Sequence, residues 1–288
     1  MPNAANARFY PDQADNGTTY FDPTFGPSGG NVTLYDYNLA DPMAGDPVLE
    51  DSVDLIMRNA RWMIQEIGVD GFRLDAVRHF DQAILNEFDR AVFRAKKTPL
   101  LDGSPDHVFT FSETGGDNDL NYLQDFIRKD INDGSGNVGG NRDALDFNLF
   151  FAIKDNLSDN GLANDWRNIK NVSIDNNDGF ANNGSQGVAF VRSHDDGPSA
   201  LDNVAHAYML MRPGNAIVYM NGMQFGDGRD FPQNGRNDAL GGLYGDAVTK
   251  LVNIRNTHGR GNYLDRSPTS DQKELLFYER ENSALVLL

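Results

Sequence analysis

Residues 69–75 read VDGFRLD, a short apolar run that ends with a cation and a carboxylate. Before it, apolar residues recur at helical spacing from Leu49 to Ile67, and Pro47 suits the start of this helix and Gly68 its end. After it, a second helical pattern runs from Ala83 to Val92. A helix, a short strand and another helix in this order are typical of a parallel sheet covered by helices. This stretch therefore indicates an α/β fold.

The same alternation continues toward the C-terminus. Further strands are predicted at residues 107–113, 144–147, 187–193 and 216–219, and further helices at 149–157, 200–211 and 247–256. The chain thus has five strand–helix units, whereas a closed (β/α)8 barrel needs eight. From residue 274 to 288 the pattern changes to two β-like runs, which indicate the opening of a separate β-domain.

The first 47 residues are rich in Gly, Pro, Asn and Asp, so turns dominate the prediction there. The strands expected in this region are short, such as one at 32–35. We therefore predict three regions: a loop-rich segment at 1–47, the barrel part at 48–262 and the beginning of a C-terminal β-domain at 263–288.

Composition restricts the partners of the protein. Of its 288 residues, 39% are hydrophobic, enough for one large domain with or without a small one. Its 42 acidic and 25 basic residues give a formal net charge of −17, which repels phosphate backbones and anionic membranes. We therefore expect neither nucleic acid nor membrane as a partner. The lack of cysteine excludes disulfides and thiolate metal sites.

Arg73 and Asp75 share one face of the predicted strand, because side chains alternate along a strand. The Arg73 cation is expected to lower the pKa of Asp75, which suits a nucleophile or an electrostatic stabiliser. The alternative is a structural ion pair at a strand end, and these two residues taken alone favour that alternative.

Glu113 ends the next predicted strand, on the face that also holds Phe109 and Phe111. An apolar wall raises the pKa of a carboxyl group, which is what a general acid near neutral pH requires. The alternative is an ordinary Glu at a helix entry, in the loop 112–116.

Residues 190–197 read FVRSHDDG, an apolar strand that breaks into a His and two carboxylates. This group could ligate a metal ion, cap the following helix or contact a substrate. Asp196 or Ser199 would be the cap, and for Asp196 capping is the favoured interpretation. All three carboxylate groups follow the end of a predicted parallel strand, where barrel enzymes keep their chemistry. Two carboxyl groups, one ionised and one protonated, are the minimal machinery for cleaving a glycosidic bond.

Three segments resemble motifs of glycoside hydrolase family 13, the α-amylase family. Residues 71–79 (GFRLDAVRH) resemble its nucleophile motif, and 111–113 (FSE) its acid/base motif, with Ser112 where Gly is usual. Residues 190–195 (FVRSHD) resemble its third motif, with Ser193 in place of the common Asn. The resemblance implies a (β/α)8 TIM barrel of which strands four to eight are present, followed by the start of a C-terminal β-sandwich.

The resemblance also implies roles for the carboxylates. Asp75 would be the nucleophile that forms a glycosyl-enzyme, and Glu113 would be the acid/base. Asp195 would bind substrate hydroxyls and stabilise the transition state.

Substrate contacts are implied in the same way. Arg73 would position the nucleophile, and His194 would contact the same sugar. Arg78 and His79 resemble the basic pair that α-amylases use at their leaving-group subsites. The remaining histidines, His107, His206 and His258, are expected to occupy strand, helix or surface positions without partners.

The function implied is a retaining α-glycoside hydrolase that acts on α-1,4-glucans such as starch, glycogen and maltooligosaccharides by double displacement. A non-catalytic member that serves binding is one alternative, and an incomplete gene product without a function of its own is another. The presence of all three carboxylates favours the enzyme over the non-catalytic member. The oligomeric state is left open.

The first motif of the family, an Asp-containing strand end that finishes in Asn-His, is not found in the chain. By resemblance, barrel strands one to three would precede residue 1 and most of the C-terminal domain would follow residue 288. We therefore expect a fragment truncated at both ends, unstable or inactive by itself because of its exposed sheet edges. A Ca²⁺ ion is implied by the family alone, since its usual Asn ligand belongs to the missing motif. Residues 1–6 show no signal-peptide pattern, although a secreted parent fits the resemblance.

Overall fold

The structure, a computed structural model, describes most of the chain in separate stretches. They are residues 14–22, 30–36, 49–50, 52–93, 95, 107–115, 119–129, 140–158, 161–176, 186–196, 200–219, 243–267 and 274–288. Two compact units divide the chain: unit 1 comprises residues 1–113 and 128–142, and unit 2 comprises 114–127 and 143–288. The domain boundaries predicted near residues 47 and 262 stay predictions.

The helices and strands that the sequence alternation predicts are present, among further short elements that it does not predict. In chain order they are β1 Ala14–Asp22, β2 Gly30–Asp36, β3 Leu49–Glu50, α1 Ser52–Trp62, β4 Gly71–Leu74, α2 Gln82–Val92, β5 Phe109–Ser112, α3 Leu120–Gln124, β6 Arg128–Lys129, β7 Asn141–Leu145, α4 Phe147–Asn156, β8 Leu157–Ser158, β9 Gly161–Leu162, α5 Arg167–Lys170, β10 Gly187–Ala189, α6 Asp202–Met211, β11 Asn215–Ala216, α7 Leu243–His258, β12 Tyr263–Asp265, β13 Phe277–Arg280 and β14 Ala284–Leu287. None of the helices in the described stretches is both long enough and apolar enough to span a membrane.

In unit 1, helices α1 and α2 supply the apolar layer against which β4 packs. Phe72 and Leu74 of β4 contact this core, and the Phe72 and Phe88 rings meet edge to face with 5.4 Å between centroids. Its buried members are Met57, Ala60, Ile64, Phe88, Val92 and Val108. Because side chains alternate along a strand, Gly71 and Arg73 lie on the opposite face of β4. That face carries the predicted site.

Strands β4 and β5 are parallel neighbours, with Gly71 opposite Phe109 and Leu74 opposite Ser112. Gly71 is required by this close pairing, because a Cβ there would lie 2.1 Å from the carbonyl oxygen of Phe109. Helix α1 continues into a π-helical turn that ends at Gly68, in the left-handed conformation with φ +83°. The predicted helix end at Gly68 is confirmed.

In unit 2, the end of β7 pairs with β10 in parallel, with Ala144 opposite Gly187. Strand β10 pairs in turn with β11, with Ala189 opposite Ala216. With β4 and β5 of unit 1, the parallel strands in the described stretches number five. They occur where the sequence predicts barrel strands four to eight, so the predicted α/β class is confirmed.

The N-terminal stretch differs from the prediction. Strand β1 is nine residues long and pairs antiparallel with β2, from Ala14 opposite Asp36 to Asp22 opposite Gly30. The short strand predicted at 32–35 is confirmed as part of β2, whereas the prediction of turns is wrong for residues 14–22. The Asn-Gly pair at 16–17, which signals a turn, falls where the register shifts between Asp15 and Thr19. The strand continues through the Asn-Gly pair with an irregular register and does not end there.

The C-terminal residues form the antiparallel pairs β12–β13 and β13–β14, which confirms the predicted β runs. The buried side chain of Arg280 fastens this sheet within unit 2. Its Nε and Nη2 donate to the carbonyl oxygen of Gly261, at 3.1 and 2.7 Å, and its Nη1 donates to that of Met211 at 2.9 Å. One side chain thus joins the sheet to the last residue of α6.

Candidate active site

One group of predicted site residues lies at the end of β4 in unit 1. Arg73 Nη1 donates a hydrogen bond to Asp75 Oδ1, so the predicted ion pair is present. The Asp75 side chain is 71% exposed and that of Arg73 is 26% exposed. The carboxylate is therefore open to a molecule arriving from solvent, while the guanidinium behind it is mostly covered.

The chain turns sharply directly after Asp75. Ala76 has φ 49° and ψ 39°, a left-handed conformation that Ala rarely adopts. Its N–H donates to Oε2 of Glu113 across 2.8 Å. The main chain adds two hydrogen bonds, from Glu113 N to Leu74 O at 2.7 Å and from Val77 N to Glu113 O at 2.9 Å. The structure thus brings Asp75 and Glu113 together at the ends of neighbouring parallel strands.

Arg78 and His79 follow in a 3-10 turn, Val77–His79, on the connection from β4 to α2. Both side chains are exposed, and Arg78 Nε donates to His79 Nε2 at 3.2 Å. They lie a few residues along the chain from Asp75. Their subsite role stays a prediction.

Another group of predicted site residues lies in unit 2, in the loop after β10. His194 Nε2 is 3.2 Å from Asp195 Oδ2, and their side chains are 45% and 71% exposed. The ring of Tyr219 lies 6.2 Å from that of His194, tilted by 44°. An imidazole, a carboxylate and an aromatic ring at one exposed surface suit contact with a polar ligand.

Buried groups hold the main chain of this loop. The Ser193 hydroxyl accepts hydrogen bonds from the N–H groups of Asp195 and Asp196, both at 3.1 Å. Ser193 N donates to the carbonyl oxygen of Asp196 at 2.9 Å. Arg192 Nη2 lies 2.9 Å from Asp202 Oδ2, in a pair that is almost fully buried. The buried contacts of Arg192 and Ser193 therefore hold the main chain of the loop, while the side chains of His194 and Asp195 are exposed.

The predicted helix cap at Asp196 is wrong. Helix α6 begins only at Asp202, and its N-cap residue, Leu201, makes no side-chain capping bond. Asp196 Oδ1 instead accepts from Lys154 Nζ of α4 at 3.2 Å. Ser199, the other predicted cap, lies outside the described residues.

Two histidines, His107 and His206, make side-chain contacts, although the sequence analysis predicts no partners for them. The ring of His107 stacks on Phe93 with 4.2 Å between centroids. His206 is fully buried, with Nδ1 2.9 Å from the carbonyl oxygen of Asp202 and 3.3 Å from its Oδ1. Each ring fills a packed position on its element, whereas His258 is exposed near the end of α7.

A buried carboxyl group lies at the end of β7 in unit 2. Asp146 caps α4 by accepting from Leu149 N at 3.0 Å, and it accepts from Ser173 Oγ at 2.7 Å. Burial raises the pKa of Asp146 to about 6, against the opposing effect of the Ser173 and Leu149 hydrogen bonds. Because the group is fully enclosed, it supports the strand end and does not face a ligand.

No group of three or more His, Asp or Glu side chains within the described residues is arranged to hold a metal ion. Calcium binding stays a prediction, and no chemical step below depends on it.

Sequence reasoning missed the contributions of Ala76 and Ser193. Ser193 is followed two and three positions later by Asp195 and Asp196. This is the pattern of a turn in which a Ser hydroxyl accepts from main-chain N–H groups, so the sequence carries a signal for Ser193. Ala76 gives no such signal, because Ala is a poor candidate for a left-handed conformation.

The comparisons with known proteins bear on the family resemblance and on the fold. A β/α-amylase of Paenibacillus polymyxa is 29% identical over 216 residues, which cover 69% of this chain and 15% of that protein. An α-amylase of Anoxybacillus has a similar structure, with TM-score 0.56 and 20% identity, over 85% of this chain and 53% of that one. The resemblance to the α-amylase family is confirmed.

A second solved structure extends the likeness in fold. It is the cyclic α-maltosyl-(1→6)-maltose hydrolase of Arthrobacter globiformis, with TM-score 0.55 and 15% identity over 89% of this chain and 54% of that one. The chain therefore spans about half the length of these two structures. No protein-family model matches the chain. The predicted likeness to the α-amylase family thus rests on sequence similarity to an amylase and on the shared α/β fold.

Proposed function

We propose that the chain carries the catalytic residues of a retaining α-glycoside hydrolase that acts on α-1,4-glucans. The observation that carries the proposal is the juxtaposition of Asp75 and Glu113, which one hydrogen bond from Ala76 links. Neighbouring strands lie about 4.8 Å apart. A retaining glycosidase needs two carboxyl groups about 5–5.5 Å apart, and residues that follow adjacent strands can supply such a pair.

In this mechanism Asp75 attacks the anomeric carbon while Glu113 donates a proton to the departing glycosidic oxygen. A covalent bond between the Asp75 carboxylate and the sugar replaces the glycosidic bond. Glu113, now ionised, takes a proton from a water molecule, and the hydroxide formed attacks the same carbon and releases Asp75. Arg73, which donates to Asp75 in the free protein, orients the attacking carboxylate.

The proposal also assigns roles to two residues of unit 2, by resemblance to the family motif. Asp195 would accept hydrogen bonds from sugar hydroxyls and stabilise the transition state, and His194 would contact the same sugar. Arg78 and His79 are assigned to the leaving-group side. The exposure of Asp75 and Asp195, each 71%, supports direct contact with a substrate.

The choice of an α-glucan as substrate has two supports. The matching Paenibacillus polymyxa protein is named a β/α-amylase, and the Arthrobacter globiformis hydrolase was solved in complex with maltose. The formal net charge of −17 disfavours anionic ligands but is indifferent to an uncharged sugar.

The test is cleavage of maltooligosaccharides by the wild-type protein and by its Asp75→Asn and Glu113→Gln variants. Each is made in the purified chain and in the longer parent protein, because the chain alone is expected to be unstable or inactive. Each variant keeps the size of the side chain but removes its nucleophilic or proton-transferring oxygen. We expect turnover to fall by roughly 10²–10⁴-fold for Glu113→Gln and by at least as much for Asp75→Asn. NMR of the first product formed should show retention of the α configuration.

Glu66→Gln is the matched control, since it makes the same acid-to-amide change at an exposed position of unit 1. It should turn over substrate at the wild-type rate. Full activity in either active-site variant, or a product of inverted configuration, would overturn the proposed function.

A further inference from the structure

We propose that Ser193 is a positioning residue for Asp195: its hydroxyl fixes the loop that presents this carboxylate to the sugar. The proposal rests on the proposed function, in which Asp195 contacts the substrate. It concerns a side chain that is 9% exposed and therefore lies beneath the surface that a substrate would meet.

The hydroxyl is the centre of the turn. Ser193 Oγ accepts from the N–H groups of both Asp195 and Asp196, each across 3.1 Å. The amide N–H of Ser193 donates to the carbonyl oxygen of Asp196 at 2.9 Å and closes the turn from the other side. Two of these three bonds end on one oxygen atom, so its removal would leave two partly buried N–H groups without this acceptor.

Both ends of the turn are anchored to helices of unit 2. Before it, Arg192 Nη2 lies 2.9 Å from Asp202 Oδ2 of α6. After it, Lys154 Nζ of α4 lies 3.2 Å from Asp196 Oδ1. Because the ends are held, loss of the hydroxyl would change the main chain between them, where His194 and Asp195 are attached.

The direction of the exposed His194 and Asp195 side chains depends on this hydrogen-bonded turn. Asp195 is 71% exposed, and its carboxylate lies 3.2 Å from Nε2 of its exposed neighbour His194. Within the described residues, the direction of this carboxylate is therefore set mainly by the main chain that carries it. A displacement of about 1 Å at a substrate-contacting group can reduce a rate by roughly 10²-fold.

The test compares Ser193→Ala with Ser193→Asn in the whole chain. The amide oxygen of Asn accepts from main-chain N–H groups two residues on, as a Ser hydroxyl does, so Asn can restore the turn that Ala abolishes. Ser283→Ala is the control, since its hydroxyl bonds to His258 O at 2.8 Å in the same unit. We measure kcat and KM on maltooligosaccharides, the unfolding temperature, and the amide hydrogen exchange of Asp195 and Asp196.

For Ser193→Ala we expect kcat/KM to fall by roughly 10–100-fold, with faster exchange of both amides. Its unfolding temperature should lie below that of Ser283→Ala, because two partly buried N–H groups lose their acceptor. Ser193→Asn should recover most of the activity and the slow exchange. Wild-type kcat/KM in Ser193→Ala, or failure of Asn to recover what Ala loses, would overturn the positioning role. The proposed function fails separately: in that case Asp75→Asn and Glu113→Gln retain activity, whatever the Ser193 variants do.

Discussion

The N–H of Ala76 donates to Oε2 of Glu113 across 2.8 Å, and Ala76 is the residue directly after Asp75. The proposed acid/base is therefore held by the main chain that carries the proposed nucleophile. A shift in the end of β4 would move both carboxylates together, which preserves their separation. The left-handed conformation of Ala76 aims its N–H at the neighbouring strand end.

This contact makes Glu113 a structural group as well as a proposed catalytic one. Glu113→Ala should lower the free energy of unfolding by about 1–3 kcal/mol, because it leaves the partly buried N–H of Ala76 without this acceptor. Glu113→Gln keeps an oxygen acceptor and should stay within about 0.5 kcal/mol of the wild type. Urea unfolding of the two variants measures the difference, and equal stabilities would show that the hydrogen bond contributes nothing.

The pairing of β4 with β5 makes a prediction for Gly71. In Gly71→Ala the new Cβ would meet the Phe109 carbonyl oxygen at 2.1 Å, and neither main chain can yield without separating the strands. Overpacking typically lowers the free energy of unfolding by roughly 1–3 kcal/mol, and for Gly71→Ala we expect a decrease of about 3 kcal/mol or more. Gly68→Ala is the comparison: it has the unfavourable φ of +83° but nothing within 4 Å, so about 1–2 kcal/mol is expected. Thermal unfolding should rank Gly71→Ala as the less stable, and the reverse order would contradict the register of the two strands.

Asp146 predicts a pH dependence of stability. Its pKa is about 6 in the fold, raised from 3.8 mainly by burial, so between these values the folded state holds a proton that the unfolded state has lost. The free energy of unfolding should therefore fall as pH rises from about 4 to about 6 and change no further above that range. At about 1.4 kcal/mol per pKa unit, the contribution is on the order of 3 kcal/mol.

Asp146→Asn should remove this part of the pH dependence while it keeps a good N-cap on α4. Asp155→Asn, an exposed change on the same helix, should leave the pH profile as in the wild type. The comparison is denaturant unfolding at several pH values between 4 and 7. An identical profile for wild type and Asp146→Asn would contradict the raised pKa.

The buried pair of Arg192 and Asp202 makes a prediction about charge burial. Their side chains are 5% and 6% exposed, so Arg192→Met leaves a buried carboxylate without its guanidinium. We expect a loss of about 3–5 kcal/mol. Arg167→Met breaks a pair whose arginine is 63% exposed and should cost about 0–1 kcal/mol. Both are measured by calorimetry, and similar losses would mean that the burial of Arg192 is unimportant.

The sequence predicted the elements that depend on local periodicity. The strand Gly71–Leu74, the helices on either side of it and the end at Gly68 follow from alternation, helical spacing and glycine chemistry. The strand Ala14–Asp22 was missed because its Asn-Gly pair is a strong turn signal, which pairing with a second strand overrode.

The site was predictable in its side chains but not in its supports. Arg73 and Asp75 are two residues apart on one strand, so their contact follows from alternation. The bond from Ala76 to Glu113 joins residues 37 positions apart and depends on a conformation that Ala seldom adopts. Similarly, Asp196 resembles a helix cap in sequence, whereas its partner Lys154 comes from a helix 42 positions earlier. Contacts of this range need the tertiary structure.

The guanidinium of Arg280 has a consequence for how the protein opens. Its bonds to the carbonyl oxygens of Gly261 and Met211 cross from the C-terminal sheet to the end of α6, so the sheet cannot detach without stranding a buried cation. Sheet and helix should therefore fluctuate as one cooperative foldon, with a single opening free energy for amides as far apart as Leu210 and Tyr278. The last strands therefore open and close together with α6 and belong to the same cooperative unit of unit 2.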